Sequence, residues 1–273
     1  MMSSIPRQGW ALVTGACSGI GFEIARELAA RGYALVLVSE QAARLHEAAE
    51  ALTRSFAIST QTVVLDLADP GAARSLREEI DRRGIDIEIL VSNAGMFFYG
   101  DVADADPDRM DTMLHLHVIT PSLLAVEFAG VLRARRRGRI LIVSSLSAWR
   151  DFPDIACYGA SKRYLRSFSA SLRDELAPWG VTVTCLAPGA TATGLYNQTT
   201  IPVELAVKWR VMKNPAEVAH AGVCGMLAGT RVVMPGVGAK LMAVGMTLLP
   251  RPLIRRLHRA AHERRGDMEE KEL

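Results

Sequence analysis

The chain is short of most features that mark specialised scaffolds. Its 273 residues include only four cysteines, Cys17, Cys157, Cys185 and Cys224, with no CxxC pair and no metal-ligand spacing. That excludes a disulfide framework or a zinc ribbon, suits a reducing compartment, and leaves no metal site expected. Aromatic residues are 6% of the chain and do not interleave the arginine clusters, so a nucleic-acid surface with stacking platforms is not indicated. The net charge of +3 is too small to imply a polyanionic partner by itself. No uninterrupted apolar run reaches the ~18 residues of a spanning helix. The stretch from Met1 to Gln8 is polar and the first apolar run, Trp10 to Val13, is short, so no secretory signal is expected there. There is no internal repeat and no low-complexity linker. The expectation is a soluble, cytoplasmic α/β domain with a core large enough to need no staples.

What is present alternates between two periods. Apolar runs of strand length occur at Trp10–Val13, Ala34–Val38, Thr62–Leu65, Ile87–Ser92, Arg139–Val143 and Val181–Leu186. Between them lie stretches of helical periodicity: Ile20–Arg31, Gln41–Ser55, Gly71–Arg83 and Asp108–Leu132. Continuous Val, Ile and Leu runs are what a parallel strand buried on both faces requires. Alternation of such strands with helices predicts βαβ crossovers and a doubly wound sheet over residues 1–236. The remainder, 237–273, reads as a C-terminal extension. Leu241–Leu249 carries no charge, and residues 251–265 then hold six arginines against Glu263, so most of the basic excess is local.

The segment Thr14-Gly15-Ala16-Cys17-Ser18-Gly19-Ile20-Gly21 follows the first strand and opens the first helix. Glycines there let the backbone turn tightly and approach a pyrophosphate, which the free N–H groups of a helix start stabilise. The spacing is TGxxxGxG. Downstream come Asp66 after the third strand, Asn93-Ala94-Gly95 after the fourth, Ser144-Ser145 after the fifth, Tyr158-Gly159-Ala160-Ser161-Lys162, and Pro188-Gly189 after the sixth. In this ordered set, over roughly residues 8 to 236, the chain resembles the short-chain dehydrogenase/reductase family.

That resemblance implies a Rossmann-type fold and an NAD(P)-dependent oxidoreductase acting on carbonyls or secondary alcohols. It implies cofactor contacts from Gly15, Ser18, Gly19, Ile20 and Gly21, from Asp66 and Leu67 at the adenine, and from Asn93, Ala94 and Gly95. Pro188, Gly189, Thr191 and Thr193 would lie beside the nicotinamide. The adenosine ribose should meet Ser39-Glu40 at the end of the second strand. Glu40 would repel a 2′-phosphate, which favours NAD over NADP. Arg44, one helical turn on, could instead neutralise Glu40 or turn toward a phosphate, and Glu40 could be a solvated helix-start residue.

Tyr158 and Lys162 are four apart in a helical segment, so they share a face. A free tyrosine titrates near ~10. An adjacent ammonium favours the phenolate, and Tyr158 would then exchange a proton with the substrate oxygen. The resemblance adds Ser145 to orient that oxygen and gives Lys162 the nicotinamide ribose. One departure falls at His117, where the family commonly has an asparagine that holds a water linked to the lysine. An imidazole could hold the same water and titrate near ~6.5, or could be a core histidine. His115 would face elsewhere. Cys17 and Cys157 read as packing thiols rather than a redox pair.

Thr191–Asn214 carries Tyr196, Ile201, Val203, Leu205, Val207 and Trp209 among few charges. The resemblance makes this segment a lid, and its composition argues for an apolar substrate, lipid-like, steroid-like or a long-chain ketone. Trp149 and Phe152 are expected to line the same cleft. The tail reads either as an interfacial membrane anchor or as a packed helical element that covers the site or builds a homo-oligomer. A non-catalytic nucleotide-binding redox sensor on the same fold is the rival function; such regulators typically lose the Tyr/Lys pair that this chain keeps.

Overall fold

In the computed structural model the described residues are 9–192 and 212–256. Seven parallel strands, β1 (Trp10–Thr14), β2 (Ala34–Ser39), β3 (Thr60–Val64), β4 (Ile87–Ser92), β5 (Gly138–Val143), β6 (Val181–Leu186) and β7 (Val232–Val233), form one sheet in the order β3-β2-β1-β4-β5-β6-β7. The six longer strands match the apolar runs read from sequence to within two residues at each end. β7 was not expected, because two valines are too short to show a period. It is held by the Cys185 N–H on Arg231 O and the Ala187 N–H on Val233 O.

The strands are apolar throughout because both faces are covered. On β1, Ala11 and Val13 point into a layer with α1 (Gly19–Ala29), α2 (Ala42–Phe56) and α7 (Pro215–Leu227), through Ile24, Leu28, Leu45, Val218 and Met226. Leu12 points to the opposite layer, with α3 (Ala72–Arg82), α5 (Thr120–Ala134) and α6 (Ala156–Leu176), through Leu76, Ile80, Phe128, Leu132 and Leu165. Each such side chain, fully buried, contributes about 1.5–3 kcal/mol relative to exposure. Because every strand is parallel, all C-terminal ends open on one edge. The order reverses between β1 and β4, and the crevice at that point is where such sheets bind ligands.

The helical stretch expected at Asp108–Leu132 is three pieces in one run: α4 (Pro107–Leu114), a π-helical turn (His115–Ile119) and α5. Pro121 supplies the reason. It has no N–H for the carbonyl of His117, and its ring crowds that carbonyl. The ladder widens there, and the Thr120 N–H bonds His115 O, five residues back.

The tail is helical from the start. α8 (Val237–Leu248) packs Ala239 and Ala243 against Leu146 and Trp149, and Arg150 Nη2 donates to Leu249 O at 2.5 Å. The first turns beyond residue 236 are therefore seated on the loop that follows Ser145.

Candidate active site

The crevice is a cleft of about 490 Å³. Its floor is built by hydrogen bonds between the ends of β1 and β4. Thr14 Oγ1 donates to Val91 O (3.2 Å) and accepts from the N–H groups of Asn93 (2.9 Å) and Ala94 (3.1 Å). Asn93 Nδ2 donates to Thr14 O (3.0 Å) and Gly15 O (3.3 Å). Gly15 and Gly19 sit at φ 63° and 56°, in the left-handed region that favours glycine. Gly21 is needed for proximity rather than conformation: a Cβ there would lie 2.1 Å from Gly15 O and 2.4 Å from Asn93 Nδ2. Ser18 caps α1 with extended backbone, makes no side-chain cap bond, and no acidic residue occupies the first turn. The N–H groups of that turn are left for an anion.

At the end of β2, Ser39 Oγ accepts from the Gln41 N–H (3.2 Å) and lies 3.2 Å from Cys17 Sγ. Glu40, Gln41 and Arg44 all line the cleft. Arg44 Nη1 donates to Gln41 Oε1 (3.1 Å), and Gln41 Nε2 to Glu40 Oε1 (3.2 Å), so the three form a chain along the rim. Asp66, two residues past β3, accepts the Ala68 N–H at 2.8 Å in an Asx turn, and Leu67 O accepts Thr120 Oγ1 at 2.7 Å.

The opposite wall carries Ser145, Tyr158 and Lys162. Tyr158 is buried, edge-on to Phe97 (ring centroids 4.8 Å apart), with Lys162 Nζ 5.7 Å from its ring centroid. Lys162 is 5% exposed and donates one long bond, 3.3 Å, to Val143 O. Burial lowers its pKa to about 8, with the nearby Cys185 acting weakly the other way. An ammonium with three donors and one long partner fits a ligand bearing hydroxyls. Ser145 caps the turn Leu146–Trp149 by accepting the Ser147 N–H, and Ser144 Oγ donates to Lys162 O (2.7 Å), tying β5 to α6. Leu146 N–H on Pro188 O and Thr191 Oγ1 on Gly189 O close the third side.

His117 is fully buried. Its Nε2 accepts the Met96 N–H at 3.1 Å, so the ring proton is on Nδ1 and donates to Ser161 Oγ at 3.0 Å. Ser161 in turn donates to Tyr158 O at 2.8 Å. The expectation of titration near 6.5 does not hold. Burial first, and the charge of Lys162 second, push the imidazole well below its ordinary value. Both nitrogens are committed to protein partners rather than to a water. The ring bridges the Asn93–Gly95 loop to α6, and a Cβ on Gly95 would strike it at 2.6 Å.

Every expected cofactor residue that is described lines this one cleft: Gly15, Ser18, Gly19, Ile20, Gly21, Ser39, Glu40, Asp66, Leu67, Asn93, Ala94, Gly95, Tyr158, Lys162, Pro188, Gly189 and Thr191. Ser145 and His117 join them. Thr193, Tyr196 and Trp209 lie outside the described residues, as does most of the expected lid. Trp149 and Phe152 are not among the lining residues. The Arg166 guanidinium stacks 4.4 Å over the Trp149 ring, and α8 packs beside it. Sequence reasoning missed Met96, Thr112, Leu116 and Val143 as lining residues; they carry no motif, and the segment after β4, α4, the π turn and the end of β5 bring them in.

Fold and site together define a class: a dinucleotide-binding α/β protein with a Ser/Tyr/Lys group at the switch point of its sheet. The chain matches the short chain dehydrogenase family over residues 9–202. It is 32% identical over 199 residues to dehydrogenase/reductase SDR family member 7B of Bos taurus, covering 71% of this chain and 61% of that protein. It is 33% identical over 196 residues to a very-long-chain 3-oxoacyl-CoA reductase of Phaeosphaeria nodorum, covering 66% and 54%. The chain thus spans somewhat more than half the length of these relatives. Among solved structures, the bulky-bulky ketone specific alcohol dehydrogenase of Comamonas testosteroni shares the fold, with TM-score 0.75 and 24% identity over 97% of this chain and 95% of that one. The chain belongs to the short-chain dehydrogenase/reductase family.

Proposed function

We propose that the protein interconverts a carbonyl and a secondary alcohol on an apolar substrate, with Tyr158 as the general acid and base. The observation that carries this is the pairing of Tyr158 with a buried, under-partnered Lys162 on one face of α6, inside the cleft that holds the glycine turn. When bound, the nicotinamide cofactor supplies or takes the hydride. The chain's own residues do the rest. Ser145 orients the substrate oxygen, and Tyr158 Oη gives it a proton in reduction and removes one in oxidation. Lys162 stabilises the phenolate that results and holds the ribose hydroxyls. With a pKa of about 8 it stays charged at neutral pH and loses that charge in the mildly alkaline range. His117 is a positioning residue in this scheme, holding the Met96 backbone against α6.

Support for an apolar substrate comes from the relatives, which include proteins named very-long-chain 3-oxoacyl-CoA reductase and hydroxysteroid dehydrogenase-like protein 1, and from the composition of Thr191–Asn214. Glu40 on the ribose rim, with Arg44 tied to Gln41, supports NAD over NADP. Several similar solved structures hold NADP or NADPH, among them L-sorbose reductase of Gluconobacter frateurii, at 26% identity. A panel of bulky ketones and alcohols with both cofactors, followed at the nicotinamide absorbance, tests the reading. Turnover of long-chain or polycyclic ketones with NADH is the expected result. Turnover confined to small polar carbonyls would overturn the substrate assignment, and a preference for NADPH would overturn the cofactor assignment.

Two surfaces support further contacts. The outer side of α8 exposes Val237, Leu241, Met242, Val244 and Leu248, and Arg251, Arg255 and Arg256 follow, which suits an anionic lipid surface. Co-sedimentation with anionic vesicles, lost on removal of residues 238–273, is the expected behaviour. α5 and α6 expose Leu123, Val126 and Tyr164, an apolar face that suits a second copy of the chain.

A further inference from the structure

A second cluster of polar side chains lies outside the cleft, where α1 and α7 pack together. Glu27, His220 and Cys224 place one donor atom each within 4.8 Å of one another. His220 Nδ1 lies 2.7 Å from Glu27 Oε1, and His220 Nε2 lies 3.6 Å from Cys224 Sγ. Arg31, one turn beyond Glu27, donates to Cys224 Sγ at 3.4 Å and pairs with Glu27. Burial raises the Glu27 carboxyl, but the hydrogen bonds from Arg31 and His220 outweigh it and hold the group below its usual value, ionised. An ionised Glu27 fixes the imidazole proton on Nδ1, which leaves the Nε2 lone pair facing the thiol.

This is the arrangement of a nucleophile, a base and a group that orients the base. A divalent cation suits it less well, because the Arg31 guanidinium already occupies the carboxylate and stands beside the sulfur. The same guanidinium stands 3.4 Å from the sulfur as a hydrogen-bond donor. The other three thiols lack this setting. Cys185 is buried, and burial raises its pKa; Cys17 faces the Ser39 hydroxyl; Cys157 is half-buried beside Tyr158. His220 is exposed and Cys224 partly so, which leaves the sulfur within reach of a small molecule.

We propose that Cys224 is a nucleophilic thiol that takes up low-molecular-weight disulfides by exchange. The thiol proton passes to His220 Nε2, and the thiolate attacks one sulfur of the incoming disulfide. The old S–S bond breaks as the new one forms, and the departing thiolate recovers the proton from His220. One disulfide is consumed, one mixed disulfide and one free thiol are made, and no outside oxidant is required. The inference is independent of the proposed substrate and of the Tyr158 site.

The test is to expose the full chain to glutathione disulfide near neutral pH and to follow each cysteine by peptide mass mapping. Cys224 is expected to form the adduct at least roughly tenfold faster than Cys157 or Cys17. His220→Gln and, separately, Glu27→Gln are expected to slow Cys224 several-fold while leaving Cys157 unchanged, so that Cys157 reports on folding within the same molecules. Reaction of Cys224 no faster than that of Cys157 in the unaltered protein overturns the proposal. So does an unchanged Cys224 rate in His220→Gln.

Discussion

The two walls of the cleft are built on opposite energetic terms. On the glycine-turn wall, Thr14 and Asn93 satisfy one another and the neighbouring backbone, and Gly21 seals the contact by leaving no space for a Cβ. That wall stabilises the fold with or without a ligand. On the Tyr158 wall, Lys162 is enclosed with a single long hydrogen bond, and its pKa falls to about 8. That wall costs the fold free energy. A binding surface can be assembled from satisfied groups, whereas a proton-transfer site needs groups whose remaining valence is reserved for something else.

The largest test of this contrast is Tyr158→Phe. Loss of the hydroxyl should lower turnover by about 10²–10⁴-fold, the usual range for a positioned acid–base group, with nucleotide affinity nearly unchanged. Steady-state kinetics and a binding titration on the same preparation separate the two quantities. Turnover near that of the parent would remove Tyr158 from the mechanism.

Gly21→Ala probes the other wall. The added methyl meets Gly15 O and Asn93 Nδ2, so denaturant unfolding should show a loss of about 1–3 kcal/mol, the range for overpacking, together with weakened nucleotide binding. A variant of full stability would show that the turn is looser than its geometry.

Lys162→Met should do the reverse, abolishing turnover while stabilising the unliganded protein. The folded pKa of about 8 lies below the ordinary lysine value of 10.5, so the unfolded chain binds more protons between those values and the native state gains stability as pH rises through that window. Below pH 8 the buried ammonium costs on the order of 3 kcal/mol, of which the methionine should recover about 1–3 kcal/mol at neutral pH. The gain should shrink as pH approaches 10. Thermal unfolding at both ends of that range checks the sign, and a destabilised variant at neutral pH would contradict it.

The smallest effect is expected from His117→Asn. The shorter side chain leaves Met96 N–H or Ser161 Oγ without its partner, a cost of about 1–2 kcal/mol. Because the imidazole is already neutral well above its folded pKa, the acidic limb of the pH–rate profile should not move. A shifted limb would return His117 to the proton pathway.

The alternation of apolar runs and helical stretches was legible because parallel strands covered on both faces admit little but Val, Ile, Leu and Ala. The glycine turn, Asn93–Gly95, Ser145, Tyr158 and Lys162 were legible because each sits at the C-terminal end of a strand or on the first turns of a helix, where spacing along the chain fixes spacing in space. Met96, Thr112 and Leu116 were not, since nothing local distinguishes a lining residue from a core one. The partners of Trp149 were not legible either: Arg166 and Ala243, which pack beside its ring, are 17 and 94 positions distant.

The sequence by itself therefore determined the six longer strands, the family and the residue types at the cleft, because those depend on residue type and on short-range spacing. Tertiary structure decided the state in which those groups work. That His117 is a neutral bridge, that Lys162 is an ammonium held near its titration point, and that Cys224 faces a histidine and an arginine follow from burial and from partners on other elements. A pKa is set by the dielectric and the charges that surround a group in three dimensions, and linear spacing does not encode them.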